Sequence, residues 1–102
     1  MAKIIVLYGK PKDPEAFDKE YWGQHVPLAK QMPGLKKFTV NKVVSAPRGE
    51  PAYYMMVELE YDNMDALKKS LEAPASRESG RHGVKMATGG ITFLYCESKE
   101  AM

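Results

Sequence analysis

The sequence predicts one α+β domain whose elements run in the order strand, helix, strand, strand, helix, strand. Two observations predict this order: four short runs are rich in β-branched and aromatic residues, and two stretches repeat apolar residues at helical spacing. Prolines and glycines separate these segments. The 102 residues contain no repeat or linker, so we expect a single domain over residues 1–102.

The first strand and the first helix come from the N-terminal third. Residues 3–8 form an apolar run that ends at Gly9, which is typical of a strand. Asp13 followed by Pro14 is an N-cap residue followed by a proline in the first helical position. A helix from Pro14 to about Met32 is therefore predicted, with one apolar stripe made by Phe17, Tyr21, His25, Leu28 and Met32.

The remaining elements complete a four-stranded antiparallel sheet. Residues 35–46 and 52–61 predict strands joined by a turn, and so a hairpin. Asp62 or Asn63 caps a second helix, which Pro74 is expected to break. Residues 75–85 allow one more helical turn, and the last strand follows Gly89-Gly90 at 91–97. This order is the ferredoxin-like βαββαβ plan.

The predicted sheet is apolar on both of its faces. In the third strand, Met55, Val57 and Leu59 share one face, and Tyr54, Met56 and Glu58 share the other. The first and last strands are largely apolar in both phases. Two helices cover only one face, and an antiparallel sheet with a free face would carry polar residues there. We therefore predict a homodimer in which a second copy covers the outer face.

Composition argues against several classes of protein. Fifteen basic residues against thirteen acidic residues do not favour nucleic-acid binding, and the aromatic signature of an RNA-recognition motif is absent from 52–61. The first apolar run is too short for a signal peptide or a membrane span, and the single cysteine, Cys96, fits a reducing compartment, so we expect a cytoplasmic protein. Two distant histidines give no metal-ligand spacing, and we expect neither a metal nor a cofactor.

The segment 21–30 has the greatest density of residues that could carry chemistry. Pro27 lies inside the helix and crowds the carbonyl of Gly23, so we expect a distortion near His25. His25 is then either a general base or hydrogen-bond donor, or a buried core histidine. Tyr21 and Trp22 offer aromatic surface with polar tips beside it.

Glu58 is the second catalytic candidate. A carboxylate near an apolar cavity has a raised pKa and can serve as acid or base, whereas the alternative is an ion pair with a lysine. Tyr54 and Met56, on the same face, would supply walls to a ligand site. The basic residues between 77 and 85 either hold an anion over the cavity mouth or form a solvated face, and they are Arg77, Arg81, His82 and Lys85.

The chain resembles the EthD family, named after ethyl tert-butyl ether degradation, over nearly its whole length. The segments that carry the resemblance are VLYGKP, DPEAFDKEYWGQHVPLAKQMPGL, AYYMMVELEYDNMDAL and ATGGITFLY. It implies a dimeric α/β barrel around a cavity, an architecture shared with cofactor-free monooxygenases, polyketide cyclases, muconolactone isomerase and some haem proteins. The family's matching histidine is His25. The sequence departs at 75–86, where similar proteins tend to be acidic or aromatic.

The expected function is binding of a small, mostly apolar or aromatic compound between helix one and the barrel-facing side of the sheet. By the resemblance, its role lies in oxidative catabolism or biosynthesis, and any enzyme would be a cofactor-independent oxidoreductase, isomerase or cyclase. His25 and Glu58 are the expected catalytic residues, and the expected ligand-binding residues are Tyr21, Trp22, Tyr54 and Met56. A non-catalytic carrier is the main alternative, and a haem protein with His25 as axial ligand is another.

Overall fold

The computed structural model describes residues 1–102 and has the predicted ferredoxin-like α+β fold. Its four strands pair antiparallel in the order β2-β3-β1-β4. The elements are β1 (Ala2–Tyr8), α1 (Pro14–Glu20), a π-helical turn (Tyr21–His25), α2 (Val26–Ala29), β2 (Lys37–Lys42), β3 (Met55–Tyr61), α3 (Met64–Leu71), α4 (Pro74–Met86) and β4 (Ile91–Glu97).

Two of the helices begin at side-chain caps that the sequence indicated. The Asp13 carboxylate accepts a hydrogen bond from the Ala16 backbone N–H at 3.1 Å. The Asn63 side chain accepts from the Ala66 N–H at 2.8 Å, so Asn63 and not Asp62 caps α3. Each bond satisfies a backbone donor that the first turn of a helix leaves without a partner.

Pro74 separates two helices, as predicted, and begins a long helix where one more helical turn was expected. The α4 helix runs for 13 residues from this proline. Proline suits the first turn because the backbone N–H that it lacks would have no helical partner there. Other bounds are narrower than predicted: the first helical region ends at Ala29, β2 covers 37–42, and β3 starts at Met55.

The distortion expected near Pro27 takes the form of a π-helical turn. The Val26 N–H donates to the Tyr21 carbonyl, five residues back. Proline at 27 has no N–H to return to Gly23, which breaks the regular ladder of α1 and α2 at this point. Such single π turns are found frequently at functional sites, and this one ends at His25.

The two faces of the sheet differ sharply in burial. Alternate residues of β1 and β3 point to the helices and are buried, as are Phe17 and Tyr21 from the helical side. The outer face carries no helix, yet it holds Ile5, Leu7 and Met56 beside charged neighbours, and Leu94 is 46% exposed. The apolar residues of the outer face therefore have no helix over them within one chain.

A close approach of two backbones fixes the link between β1 and β4. The Gly9 N–H donates to the Gly90 carbonyl at 3.0 Å, and a side chain at Gly9 or Gly89 would collide with backbone atoms. Gly90 has a φ of 101°, in the region that favours glycine. The Gly89-Gly90 pair therefore acts as a turn, as predicted. No helix has the length and apolar character needed to cross a membrane.

Candidate functional site

A cavity of about 430 Å³ lies between the helices and the helix-facing side of the sheet. Twenty residues line it, of which 13 are hydrophobic. The floor comes from β1 and β3, where Ile4, Val6, Val57 and Leu59 point upward. This cavity lies on the helical side of the sheet, whereas the sequence predicted a site on the barrel-facing side, which only a second copy would enclose. Volume and lining are those of a small-molecule site.

The mouth of the cavity lies between α4 and β4. Its exposed lining residues are Arg77, Arg81 and Val84 from the helix and Phe93 and Tyr95 from the strand. Phe93 and Tyr95 face the helical side of the sheet but remain 41% and 57% exposed, since no helix covers this edge. The exposed part of the cavity lining therefore lies along α4 and β4.

His25 lies at the buried end of the cavity in a chain of hydrogen bonds. It is only 6% exposed, and its Nδ1 is 2.9 Å from Nδ1 of His82 on α4. The other ring nitrogen of His82, Nε2, is 2.8 Å from Glu20 Oε2. We name this arrangement the Glu20–His82–His25 chain. It joins α1, the π-helical turn and α4.

The hydrogen bonds of this chain allow one arrangement of protons in which His25 is an acceptor at the cavity. When a neutral His82 donates its Nε2–H to Glu20 Oε2, its unprotonated Nδ1 accepts the Nδ1–H of His25. The Nε2 of His25 is left with a free lone pair. This nitrogen has no hydrogen-bond partner in the protein. Because every fully buried polar side-chain atom in the structure has a partner, Nε2 is accessible, and it faces the cavity that His25 lines.

Burial keeps His25 neutral. Desolvation lowers the pKa of His25 to about 4, repulsion from the protonated form of His82 acts in the same direction, and Glu20 opposes both. At neutral pH the imidazole is therefore an uncharged acceptor. Its nearest aromatic neighbours are Tyr21, with ring centroids 5.1 Å apart, and His82, stacked at 5.1 Å.

Two tyrosine hydroxyls open into the same space. The rings of Tyr8 and Tyr21 are 2% and 1% exposed, and neither hydroxyl has a hydrogen-bond partner. Every fully buried polar side-chain atom in the structure has a hydrogen-bond partner, so these two hydroxyls are not fully buried and border the cavity. Burial raises the pKa of each, which keeps both as proton donors. Gly83 makes room for Tyr8 and His25: a Cβ there would lie 3.2 Å from the Tyr8 oxygen and 3.5 Å from His25 Cε1.

The structure separates Glu58 and Met56 from His25. Both occupy even positions of β3 and point to the outer face, while odd positions face the cavity. Glu58 accepts from Lys3 Nζ at 3.1 Å and Asn41 Nδ2 at 3.0 Å, and these bonds, Asn41's first, lower its pKa. The raised pKa expected of an acid–base carboxylate is thus corrected, and the ion-pair alternative describes Glu58 within one chain.

Tyr54 and Trp22 also lie outside the cavity lining. The prediction that Tyr54 shares the outer face with Glu58 is wrong: Tyr54 precedes β3 and packs edge-on against Phe17 of α1. The Tyr54 hydroxyl donates to both carboxylate oxygens of Asp18, at 2.8 and 2.9 Å, and its pKa rises to about 12 through burial first and then Asp18. Trp22 is 57% exposed and packs edge-on against Tyr21 at 6.0 Å. Of the six predicted site residues, His25 and Tyr21 border the cavity.

Sequence reasoning did not assign roles to Tyr8 and Glu20, and treated His82 only as one of a basic group. The signal for His82 existed, because small and apolar residues recur on α4 at helical spacing: Ser76, Ser79, Gly83 and Met86 are all buried. If this stripe had been recognised as part of a helix, His82 would have been predicted to lie beside it and to point towards the core. No group of three or more His, Cys, Asp or Glu side chains in the structure is placed to hold a metal ion.

The βαββαβ order and the four-stranded antiparallel sheet place the chain among the ferredoxin-like α+β domains. The particular family follows from a direct match. The model of the EthD domain matches residues 10–89, and the chain belongs to the EthD family. The resemblance noted in the sequence is thereby confirmed.

Individual relatives cover the chain from end to end. It is 28% identical over 102 residues to an uncharacterized 11.0 kDa protein in the thcB-thcC intergenic region of Rhodococcus erythropolis, covering 100% of this chain and 99% of that protein. An EthD family protein of Bacillus halodurans is 34% identical, with a TM-score of 0.92, over 97% of this chain and 99% of that one.

More distant structures share the fold alone. A dimeric ferredoxin-like protein of unknown function from Jannaschia sp. CCS1 has a TM-score of 0.68 at 18% identity, covering 96% of this chain and 100% of that one. SnoaB, a cofactor-independent oxygenase from Streptomyces nogalater, has a TM-score of 0.69 at 9% identity, covering 99% and 95%. Likeness at these identities shows the fold and does not assign an activity.

Proposed function

We propose that this protein binds a small, mostly apolar compound in the helix–sheet cavity and transfers a proton between that compound and His25. One observation carries the proposal: a neutral, buried imidazole presents a free Nε2 to an apolar cavity that also contains two tyrosine hydroxyls. Apolar walls with a few convergent polar groups are typical of ligand sites. A neutral histidine in such a place is suited to general-base catalysis.

A histidine that acts as a base gains a positive charge, and the Glu20–His82–His25 chain provides a place for that charge away from His25. A positive charge on His25 itself is disfavoured by burial. In our proposal, Nε2 takes a proton from an acidic O–H or C–H of the ligand as Nδ1–H passes to Nδ1 of His82. His25 ends neutral, and the positive charge resides on His82, 2.8 Å from the Glu20 carboxylate. The ligand keeps the electron pair as an anion, which the Tyr8 and Tyr21 hydroxyls can stabilise.

The reaction that follows deprotonation defines the metabolic role. Deprotonation would give an enolate or phenolate anion. That anion would then react with dioxygen, isomerise or cyclise. The oxygenase SnoaB, which has a similar fold, supports oxidation by dioxygen as one of these outcomes. We accordingly propose a role in the catabolism or biosynthesis of apolar compounds, oxidative or otherwise.

We also propose that the active form is a homodimer whose outer sheet faces pack together. Ile5, Leu7, Met56 and Leu94 give that face an apolar centre that one chain leaves uncovered. The dimeric ferredoxin-like protein of Jannaschia supports this arrangement. A cytoplasmic location completes the proposal, since the free thiol of Cys96 stays reduced there.

Proton exchange tests the proposed chemistry without knowledge of the natural substrate. The α-protons of 2-tetralone, a compact apolar ketone, exchange with D₂O when a base removes them, and proton NMR follows the loss of signal. We expect the parent protein to accelerate exchange, His25→Ala to lose this acceleration, and His82→Gln to lose about a hundredfold of it. Glu58→Gln is the matched control, because it alters a carboxylate on the other face of the sheet.

The outcomes separate an enzyme from a carrier. If 2-tetralone binds in the cavity but the parent leaves its exchange rate unchanged, the protein is a carrier and the proton-transfer half of the proposal is wrong. If His25→Ala exchanges as fast as the parent, a different group is the base. If Glu58→Gln alone loses activity, the reacting site lies on the outer face.

A further inference from the structure

We infer that the compound taken up by this protein carries one negatively charged group, of carboxylate or sulfonate type, which Arg77 and Arg81 bind at the cavity mouth. The inference rests on the proposed function and specifies its ligand as an amphipathic anion. The apolar body would fill the cavity, the reacting group would meet His25, and the anionic group would remain at the surface.

The two arginines are placed for one shared anion. They lie four residues apart on α4, so their side chains leave the same face of the helix about one turn apart. Both line the cavity and both are exposed. Lys85 continues the basic run by one further turn but does not line the cavity. Of the basic residues in this segment, Arg77 and Arg81 are therefore the two that line the cavity and would contact a ligand.

No carboxylate balances this charge. The cavity lining contains neither aspartate nor glutamate, and neither arginine forms an ion pair in the structure. Arg77 donates one bond to the Glu72 carbonyl at 2.8 Å, and Arg81 makes no hydrogen bond to the protein. Like charges four residues apart on a helix repel each other. An anion between them would remove the repulsion and occupy guanidinium donors suited to bidentate binding.

Depth separates the two polar ends of the cavity. His25 is 6% exposed, whereas both arginines are exposed lining residues, as are Phe93 and Tyr95. An anion at the mouth keeps part of its hydration and so avoids most of the cost of burying a charge. The same anion beside His25 would be buried next to the rings of Tyr8 and Tyr21. The geometry thus favours one orientation of an amphipathic ligand.

A pair of fluorescent probes with one aromatic body isolates the charge. Anilinonaphthalene-1-sulfonate carries an anionic group, and N-phenyl-1-naphthylamine is the same body without it. We expect the parent to bind the sulfonate more tightly, with an affinity that weakens as salt is added, while binding of the neutral probe does not. Arg81→Gln should weaken sulfonate binding about threefold and the double variant Arg77→Gln/Arg81→Gln about tenfold, because exposed charges are partly screened.

Two controls locate the effect in the cavity. Lys68→Gln/Lys85→Gln removes the same amount of charge from exposed positions outside the lining, and we expect it to leave both affinities unchanged. Gly80→Phe places a ring at a lining position where a Cβ meets no atom within 4 Å, and we expect it to reduce binding of both probes.

Each result has a distinct meaning. If both probes bind equally and the double arginine variant binds the sulfonate like the parent, the anion inference is overturned and the apolar cavity stands. An equal loss in the lysine control also overturns it, because the effect is then one of net charge. If neither probe binds, or Gly80→Phe does not affect them, the proposed ligand cavity itself is wrong.

Discussion

Replacing His25 with glutamine should remove a specific part of the protein's acid sensitivity. The pKa of this histidine is lowered from 6.5 to about 4, chiefly by burial. Between those values the unfolded chain binds a proton at residue 25 and the folded chain does not, so the free energy of unfolding falls as the pH is lowered through this window. From pH 7 to pH 5 the loss due to His25 is about 2 kcal/mol, since one unit of pKa corresponds to about 1.4 kcal/mol.

Urea unfolding followed by circular dichroism measures this quantity. The parent and His25→Gln are compared at both pH values and one protein concentration, so that titration of groups remote from residue 25 cancels in the difference. We expect the parent to lose about 2 kcal/mol more than the variant between pH 7 and pH 5. Parallel losses in the two proteins would refute the account, because His25 would then titrate as it does in water. The groups that face it are His82, Glu20, Tyr8 and Tyr21.

Three further substitutions test the packing around the site. On α4, Gly80→Ala should raise the free energy of unfolding by about 1 kcal/mol. Gly83→Ala should raise it by less and should weaken binding of N-phenyl-1-naphthylamine, because its Cβ would lie 3.2 Å from the Tyr8 oxygen. Equal increases for the two variants in urea unfolding would contradict this. Tyr61→Phe should cost about 1 kcal/mol in the same assay through loss of the buried 2.9 Å bond to a serine, and an unchanged midpoint would show that this bond contributes nothing. Met56→Arg should shift a micromolar dimer to monomer in sedimentation experiments, since it puts a charge on the outer face, and a variant that stays dimeric would exclude this residue from the interface.

The fold could be predicted because its signals are local. Asp13-Pro14, the apolar stripe of the first helix and the alternation in β3 each depend on neighbours in the sequence. The π-helical turn was anticipated as a distortion because Pro27 removes a backbone donor. Its effect on the direction of His25 depends on α4, which lies more than fifty residues along the chain.

The site was only half predictable for the same reason. His25 and Tyr21 were identified, but their partners come from β1 and α4, and no local pattern brings Tyr8 or His82 to them. Glu58 illustrates the opposite case. Its face was predicted correctly from alternation, but the cavity opened on the other side of the sheet, where the helices are held away from β4. Cavities are properties of packing between elements, which sequence periodicity does not report.

Two methionines make it possible to determine directly which face of the sheet binds a ligand. Met32 lines the helix–sheet cavity, and Met56 lies on the outer face of β3. With ¹³C-labelled methionine methyl groups, a titration with N-phenyl-1-naphthylamine can be followed by NMR at both positions at once. We expect the Met32 methyl signal to move in proportion to the bound fraction while that of Met56 stays in place. Movement of the Met56 signal with a stationary Met32 signal would contradict the central claim that the ligand binds beside His25.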